Sequence, residues 1–264
     1  MNLLELRTET QRILAEKSST AAYQTPTDIN KFINEGIKDI CIKGLVYQRT
    51  KTLPVISSVA SYTLPLDFIK VITLNNQNGV SLEPMSPDLA GRIYIVAGKP
   101  LWYYTSQTSI TTYVRGNLTV YSAETFLTPS TANGFMYEVV TSGLTGAAAP
   151  TYPTNPGSSI ADGTATLTCR ELANKIYAFT LVDTPTTIGG GDGTYTLIYF
   201  AIDEGLYVDT DMPNFPWEKH HLLVSYAAMK SAEKQKDYDL MKVFAMEYAA
   251  GLGLKLQEGS QEKE

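Results

Sequence analysis

TPTDINKFINEGIKDI, residues 25–40, carries the helix signals on which the reading of the fold turns. Thr25 suits an N-cap, Pro26 suits the first helical position, and Asp28 faces the positive end of the helix. Ile29, Phe32, Ile33, Ile37 and Ile40 then recur at spacings of three and four, with Asn30, Lys31, Glu35, Lys38 and Asp39 on the other faces. This predicts an amphipathic helix running to about Leu45. On its N-terminal side, residues 2–16 read as a second helix, with Leu3, Leu6, Ile13 and Leu14 on one face. SSTAAYQ links the two.

Beyond Leu45 the texture changes to strands. Ser61–Leu64 alternates, Pro65 breaks it, and FIKVITL (68–74) is β-branched and apolar. Asn75-Asn76-Gln77-Asn78-Gly79 marks a turn before Val80–Leu82. That predicts a hairpin, closed by Pro84 and Pro87. RIYIVA (92–97) and LWYYT (101–105), joined by Gly98-Lys99-Pro100, continue what reads as an antiparallel meander. KIYAFTLV (175–182) and TYTLIYFA (194–201) resume it, joined by a glycine-rich turn. At the C-terminal end a helix follows Pro216 through Trp217, His221, Val224 and Ala228 to about Lys234. After a break near Lys236-Asp237, Leu240, Val243, Phe244 and Tyr248 line another, ended near Gly251–Gly253. The tail QEGSQEKE is expected to be disordered.

Between these halves the composition shifts. Hydrophobic residues make up 44% of the 264 residues and charged residues 18%, below the usual quarter or so. The shortage is concentrated. From Pro100 to Asn174 the only charges are Arg115, Glu124, Glu138, Asp162, Arg170 and Glu171, amid Thr, Ser, Gly, Ala and Tyr. Turn signals at Asn133-Gly134, Pro150, Pro153, Pro156-Gly157 and Asp162-Gly163 cut 117–171 into short strands. The chain therefore reads as an α+β protein: a helical bundle formed by N- and C-terminal helices, an antiparallel β-region, and an inserted small β-domain. The predicted domains are 1–116 plus 172–264 for the host and 117–171 for the insert.

Chemistry-bearing patterns are scarce. His220 and His221 are the only histidines; as helical neighbours they point about 100° apart, and no carboxylate or cysteine completes a metal motif. His221 is the one expected to face the core or an interface. Gly189–Gly193 leads into a strand rather than into Gly-Lys-Ser/Thr and a helix, so it reads as a turn and not a phosphate loop. No GxSxG occurs. A pair of glycosidase carboxylates has nothing to mark it among 27 acidic residues. Cys41 and Cys169 show no metal spacing and read as free thiols. No catalytic, cofactor-binding or metal-binding residue is predicted. The net charge of −6 argues against tight binding to phosphate backbones, while leaving room for a wall that DNA slides past. No signal peptide or membrane span is visible. The 17 tyrosines, among them Tyr94, Tyr103, Tyr104, Tyr113, Tyr195 and Tyr199, fit either a sugar- or base-stacking surface or half-buried sheets and interfaces.

Three segments together resemble the head-to-tail adaptor proteins of tailed bacteriophages. TPTDINKFINEGIKDI (25–40) is similar to the family's capped early helix with its "N-E-G" motif. SYTLPLDFIKVITL (61–74) is similar to its "Y-x-L-P-x-D-F" entry into the β-region, with GKPLWYY (98–104) matching "G-x-P-x-x-Y". Residues 194–248 resemble its closing strand, an acidic "D-x-D-x-P" link and the terminal helices. Residues 129–168 are also similar to a small module of phage virion proteins, with Ala149, Tyr152 and Leu167 standing where that module has an acidic residue, Trp and Trp.

The resemblance implies a non-enzymatic structural virion protein, assembled in the host cytoplasm and placed in the neck at the head-tail junction. It implies a homo-oligomeric ring, a dodecamer, docked under the portal protein, with a tail tube, nozzle or stopper protein on its other side. Genomic DNA would pass through the lumen without sequence-specific contact, and no membrane or cofactor is involved. Phe32, Trp217, His221, Leu240, Phe244 and Tyr248 are the expected subunit or portal interface. Leu240–Glu264 is expected to reach toward the portal, the insert to point outward, and the isolated subunit to stay mostly monomeric. Two rival classes are a carbohydrate- or receptor-binding collar or tail decoration, decided by glycan binding, and a tail-associated cell-wall hydrolase, decided by zymography.

Overall fold

The computed structural model describes residues 1–17, 25–90, 100–182, 185 and 191–253. The predicted strand at 92–97, much of the glycine-rich turn and the C-terminal tail lie outside the described residues. In chain order the elements are α1 (Leu3–Lys17), α2 (Pro26–Gly44), β1 (Gln48–Val55), β2 (Ser61–Thr63), β3 (Phe68–Asn75), β4 (Ser81–Pro84), α3 (Pro87–Ala90), β5 (Trp102–Ser109) and β6 (Thr112–Val114). There follow β7 (Val120–Tyr121), β8 (Phe126–Thr128), β9 (Phe135–Thr141), β10 (Gly143–Leu144), β11 (Ser159–Asp162), β12 (Ala165–Glu171), β13 (Lys175–Leu181) and β14 (Gly193–Ala201). A 3-10 turn (Trp217–Lys219), α4 (His220–Gln235) and α5 (Tyr238–Leu252) end the described chain.

The protein is mostly β, which corrects the expected α+β frame built on a helical bundle. Seven strands run in the order β1-β14-β3-β4-β5-β13-β2, five more in the order β11-β12-β9-β8-β6, and β10 pairs with β7. The N- and C-terminal helices do not make a bundle, because their apolar faces are not closed by helices alone. The core around Ile33, Ile37, Leu223 and Tyr226 also takes in Leu206 and Phe215 from the loop before α4, together with Val46, Tyr47 and Ile69. A seam that needs loop and strand residues to be dry is a shared core, not a bundle interior.

The meander needs correcting too. Leu74 faces Leu82 and Asn75 faces Ser81 in the predicted hairpin, with Asn76 Oδ1 accepting from the backbone N–H of Asn78 and Val80 at 2.9 and 3.0 Å. From there β4 pairs in parallel with β5, and β5 pairs along its length with β13, from Lys175–Ser109 to Leu181–Tyr103. Hydrophobic alternation specifies a strand's faces but not its neighbour. β1 also forms where no strand was predicted: QRTKTLPV is polar until Leu53 and Val55, its two buried residues.

The chain divides into two compact units. One comprises Met1–Thr50, Ile69–Ile72 and the residues from Ile198 onward; the other comprises Lys51–Phe68 and Thr73–Leu197. The first holds the core just described plus a smaller cluster of Leu14, Ala228 and Phe244. Within the second, Leu127, Tyr137, Val139, Leu167 and Cys169 form the core of the five-stranded sheet.

Candidate assembly surfaces and the polar bonds that shape them

α2 begins as its sequence predicts. Thr25 Oγ1 accepts from Asp28 N–H at 3.2 Å, and Asp28 accepts from Thr25 N–H at 3.3 Å, a reciprocal cap on the orphan donors. Lys234 of α4 reaches Asp28 at 2.8 Å. That bond, with the Thr25 hydroxyl, holds the Asp28 carboxyl down at about 2.

The next turn explains the Asn34-Glu35-Gly36 motif. The Asn34 amide donates to Leu206 C=O at 3.0 Å and accepts from Leu206 N–H at 2.8 Å, pinning one residue of the distant loop on both sides. At Gly36 an added Cβ would lie 3.0–3.3 Å from Tyr226 and Leu223, so the absence of a side chain sets how near α4 can approach. Farther along α2, Asp39 accepts from the Tyr248 hydroxyl at 2.6 Å. Burial, aided by that carboxylate, raises the Tyr248 phenol above its usual range.

The acidic link before α4 is equally structural. Asp211 accepts from the N–H groups of Tyr207 and Val208 at 2.7 and 2.9 Å. The backbone carbonyls of Asp211 and Asp209 accept from Leu3 and Leu4 at 2.9 and 3.2 Å, satisfying first-turn donors of α1 that have no partner within the helix. Asp209 pairs with Arg7 at 3.0 Å, and the buried Asp203 accepts twice from Asn214, at 2.8 and 2.9 Å. His220 closes this region. Its Nε2 lies 3.0 Å from Phe215 C=O and therefore carries the proton, leaving Nδ1 to accept from the Met1 amino nitrogen at 2.9 Å. Burial lowers the His220 pKa below 6.5 and keeps the ring neutral.

The second unit uses charge in its interior. Arg115 donates twice to Asp162, at 2.7 Å each, with side chains 2% and 1% exposed. The guanidinium also donates to Asn117 and to the carbonyls of Gly146 and Ala148, at 2.7 and 2.9 Å for the last two. Asp162 accepts in addition from Gly146 N–H at 2.8 Å. This pairing holds the Asp162 carboxyl below its ordinary value and the Arg115 guanidinium above its own. The following Gly163 sits at φ +66°, where a Cβ would collide with Leu144 C=O. Asp162 and Gly163 thus fix the turn between β11 and β12. Arg170 pairs with Glu138 at 2.8 Å and Glu124 with Lys51 at 2.5 Å, so Arg115, Glu124, Glu138, Asp162 and Arg170 all serve as internal ties.

The residues predicted as an interface separate by exposure. Trp217 is 76% exposed and His221 is exposed, whereas His220 is the core-facing member of that pair. Phe32 and Leu240 are half-buried against the helical core. Phe244 and Tyr248 are buried inside the subunit, at 1% and 5%. Sequence reasoning overlooked Leu4, Val208 and Met212 near the start of α1, and Val243 and Met246 on α5, all 45–58% exposed. For α5 the signal was there: Leu240, Met241, Val243, Phe244, Met246 and Tyr248 wrap more than one face, which one core contact does not use.

Among the described residues, no helix is long and apolar enough to cross a membrane, and no group of three or more His, Cys, Asp or Glu side chains could hold a metal ion. The pattern of the SU10 adaptor protein family matches residues 1–263. The chain belongs to that family. It is accordingly a bacteriophage adaptor, a structural component of the virion. A search of curated proteins finds no match. Two of the segments that carried the resemblance, residues 25–40 and 194–248, supply the Thr25 cap, the Asn34 clamp and the Asp203, Asp209 and Asp211 bonds described above.

Proposed function

We propose that this adaptor assembles into a homo-oligomeric ring, a dodecamer, that joins the portal protein to the tail and lets genomic DNA pass through its lumen. The observation that carries the reading is the family match over residues 1–263, because an adaptor must present surfaces to two different neighbours and to its own copies. The exposed apolar side chains of the helical unit suit that task, since large exposed apolar patches on soluble proteins mark contact sites. A closed ring needs two unlike faces that meet head to tail. Trp217 and His221, together with Phe32 and Leu240, belong to these faces; Phe244 and Tyr248 support them from within. Residues 117–171 act as an inserted module on the outside of the ring, meeting the collar or tail partner. With a net charge of −6 the wall repels the duplex and does not retain it.

The test is electron microscopy of the full chain mixed with its portal protein. Twelve-fold rings seated on the portal are expected. Free subunits beside bare portals, or particles that mount tails and keep their DNA without this protein, would overturn the reading.

A further inference from the structure

The pair Asn-Gly occurs twice in the sequence, at Asn78-Gly79 in the turn between β3 and β4 and at Asn133-Gly134 just before β9. The two glycines are matched. Gly79 and Gly134 sit at φ +75° and +84°, both are exposed, and neither has a neighbour within 4 Å of where a side chain would begin. The two asparagines are not. Asn133 is half-buried; its Nδ2 donates to the Tyr137 hydroxyl at 2.7 Å and its Oδ1 accepts from Phe135 N–H at 3.2 Å. That hydroxyl in turn donates to Pro153 C=O at 2.7 Å, and Tyr137 is buried in the core of the five-stranded sheet. Asn78 is exposed. Its backbone N–H donates to Asn76 Oδ1, but among the described residues its own carboxamide has no hydrogen-bond partner.

We propose that Asn78 is a site of spontaneous deamidation, and that the side-chain bonds of Asn133 protect it from the same reaction. The Gly79 backbone nitrogen loses its proton to solvent base and bonds to Cγ of Asn78, while the Cγ–Nδ2 bond breaks and ammonia leaves. Water then opens the resulting succinimide at either carbonyl, which leaves an aspartyl or an isoaspartyl residue at position 78. Glycine permits the approach because no Cβ stands beside the attacking nitrogen. One restraint must give way first. Gly79 N–H donates to Asn76 C=O at 2.9 Å, so the reaction waits on opening of an exposed hairpin tip, which costs little. At Asn133 the carboxamide must also leave two partners of its own, one of them fixed in a core. Each conversion adds a negative charge to a chain already at −6. The isoaspartyl form also inserts a methylene into the main chain between Asn76 and Val80, whose mutual bonds close the turn. A virion component is not renewed once assembled, so the change accumulates with particle age.

The full chain is aged in warm, mildly alkaline buffer made with heavy-oxygen water, and peptides covering the two sites are followed by mass spectrometry. Position 78 is expected to take up one heavy oxygen, in aspartyl and isoaspartyl forms, about tenfold faster than position 133, a factor set by the extra side-chain bonds. In urea the two rates should converge, because the reacting pair is the same and only folding distinguishes the sites. Tyr137→Phe should bring position 133 up toward position 78 and leave position 78 unchanged. No uptake at position 78, equal rates in the folded chain, or a difference that survives urea would each overturn the assignment. So would product free of isoaspartate, which would mean direct hydrolysis by water. Should Tyr137→Phe unfold the sheet, the urea comparison on the parent chain still decides.

Discussion

The helical unit and the five-stranded sheet around β9 and β12 are both tied by polar side chains, but in opposite ways. In the helical unit, Asn34, Asp203 and Asp211 hold backbone of a single loop, and apolar side chains are left at the surface. In the sheet, Arg115 and Asp162 are buried against each other, so that a charge pair lies inside, while hydroxyl-bearing residues share the outside with exposed Val114, Leu118 and Val120. A buried ion pair is costly to desolvate and is kept only when every remaining donor and acceptor is also met. Here the Asn117 side chain, the Gly146 and Ala148 carbonyls and Gly146 N–H meet them. The difference shows where each region tolerates change: the sheet fails from within, the helical unit at its loop.

The largest effect is expected in the sheet. Asp162→Ala strands the Arg115 charge and should cost about 3–5 kcal/mol, read as an earlier urea midpoint, whereas Arg115→Met with Asp162→Leu should recover most of it. A single variant as stable as the parent would show that the pair is not what holds the module. Next comes the loop. Asn34→Ala removes both bonds to Leu206 and should cost about 1–3 kcal/mol, with faster amide exchange at Leu206 while the sheet amides stay protected. Equal acceleration in both regions would erase the contrast. Tyr248→Phe, which takes only a hydroxyl from Asp39, should cost roughly 1–2 kcal/mol in thermal unfolding.

The smallest effect is a pH slope from His220. Its folded pKa lies below 6.5, so its stabilising contribution is complete above that value and declines as pH falls from 6.5 toward the lower folded pKa. His220→Gln should flatten stability across that window; a slope that survives His220→Gln would place the proton elsewhere.

Much of this was legible one residue at a time. The Thr25 cap, the Ile29–Ile40 stripe, the turn at Asn76–Gly79 and the break at Lys236-Asp237 are local, and each formed where its chemistry predicted. Of the side chains expected at an interface, Trp217 and His221 face solvent. Phe244 and Tyr248 lie inside the subunit, and a helix with more than one apolar face does not declare which face stays inside. Which of the two adjacent histidines turns inward was not legible either: the backbone of Phe215 and the amino group of Met1 hold His220.

Local propensity and periodicity, then, determined by themselves where the helices start and stop, which strands exist in the main, and that charge is rare between Pro100 and Asn174. Only the tertiary structure decided that β4 lies parallel to β5, that the helices share their core with loop and strand residues, and that Arg115 spends its charge on Asp162. Those outcomes depend on contacts between residues far apart in the chain, such as positions 115 and 162 or 34 and 206. Their energies appear only after the intervening loops have closed.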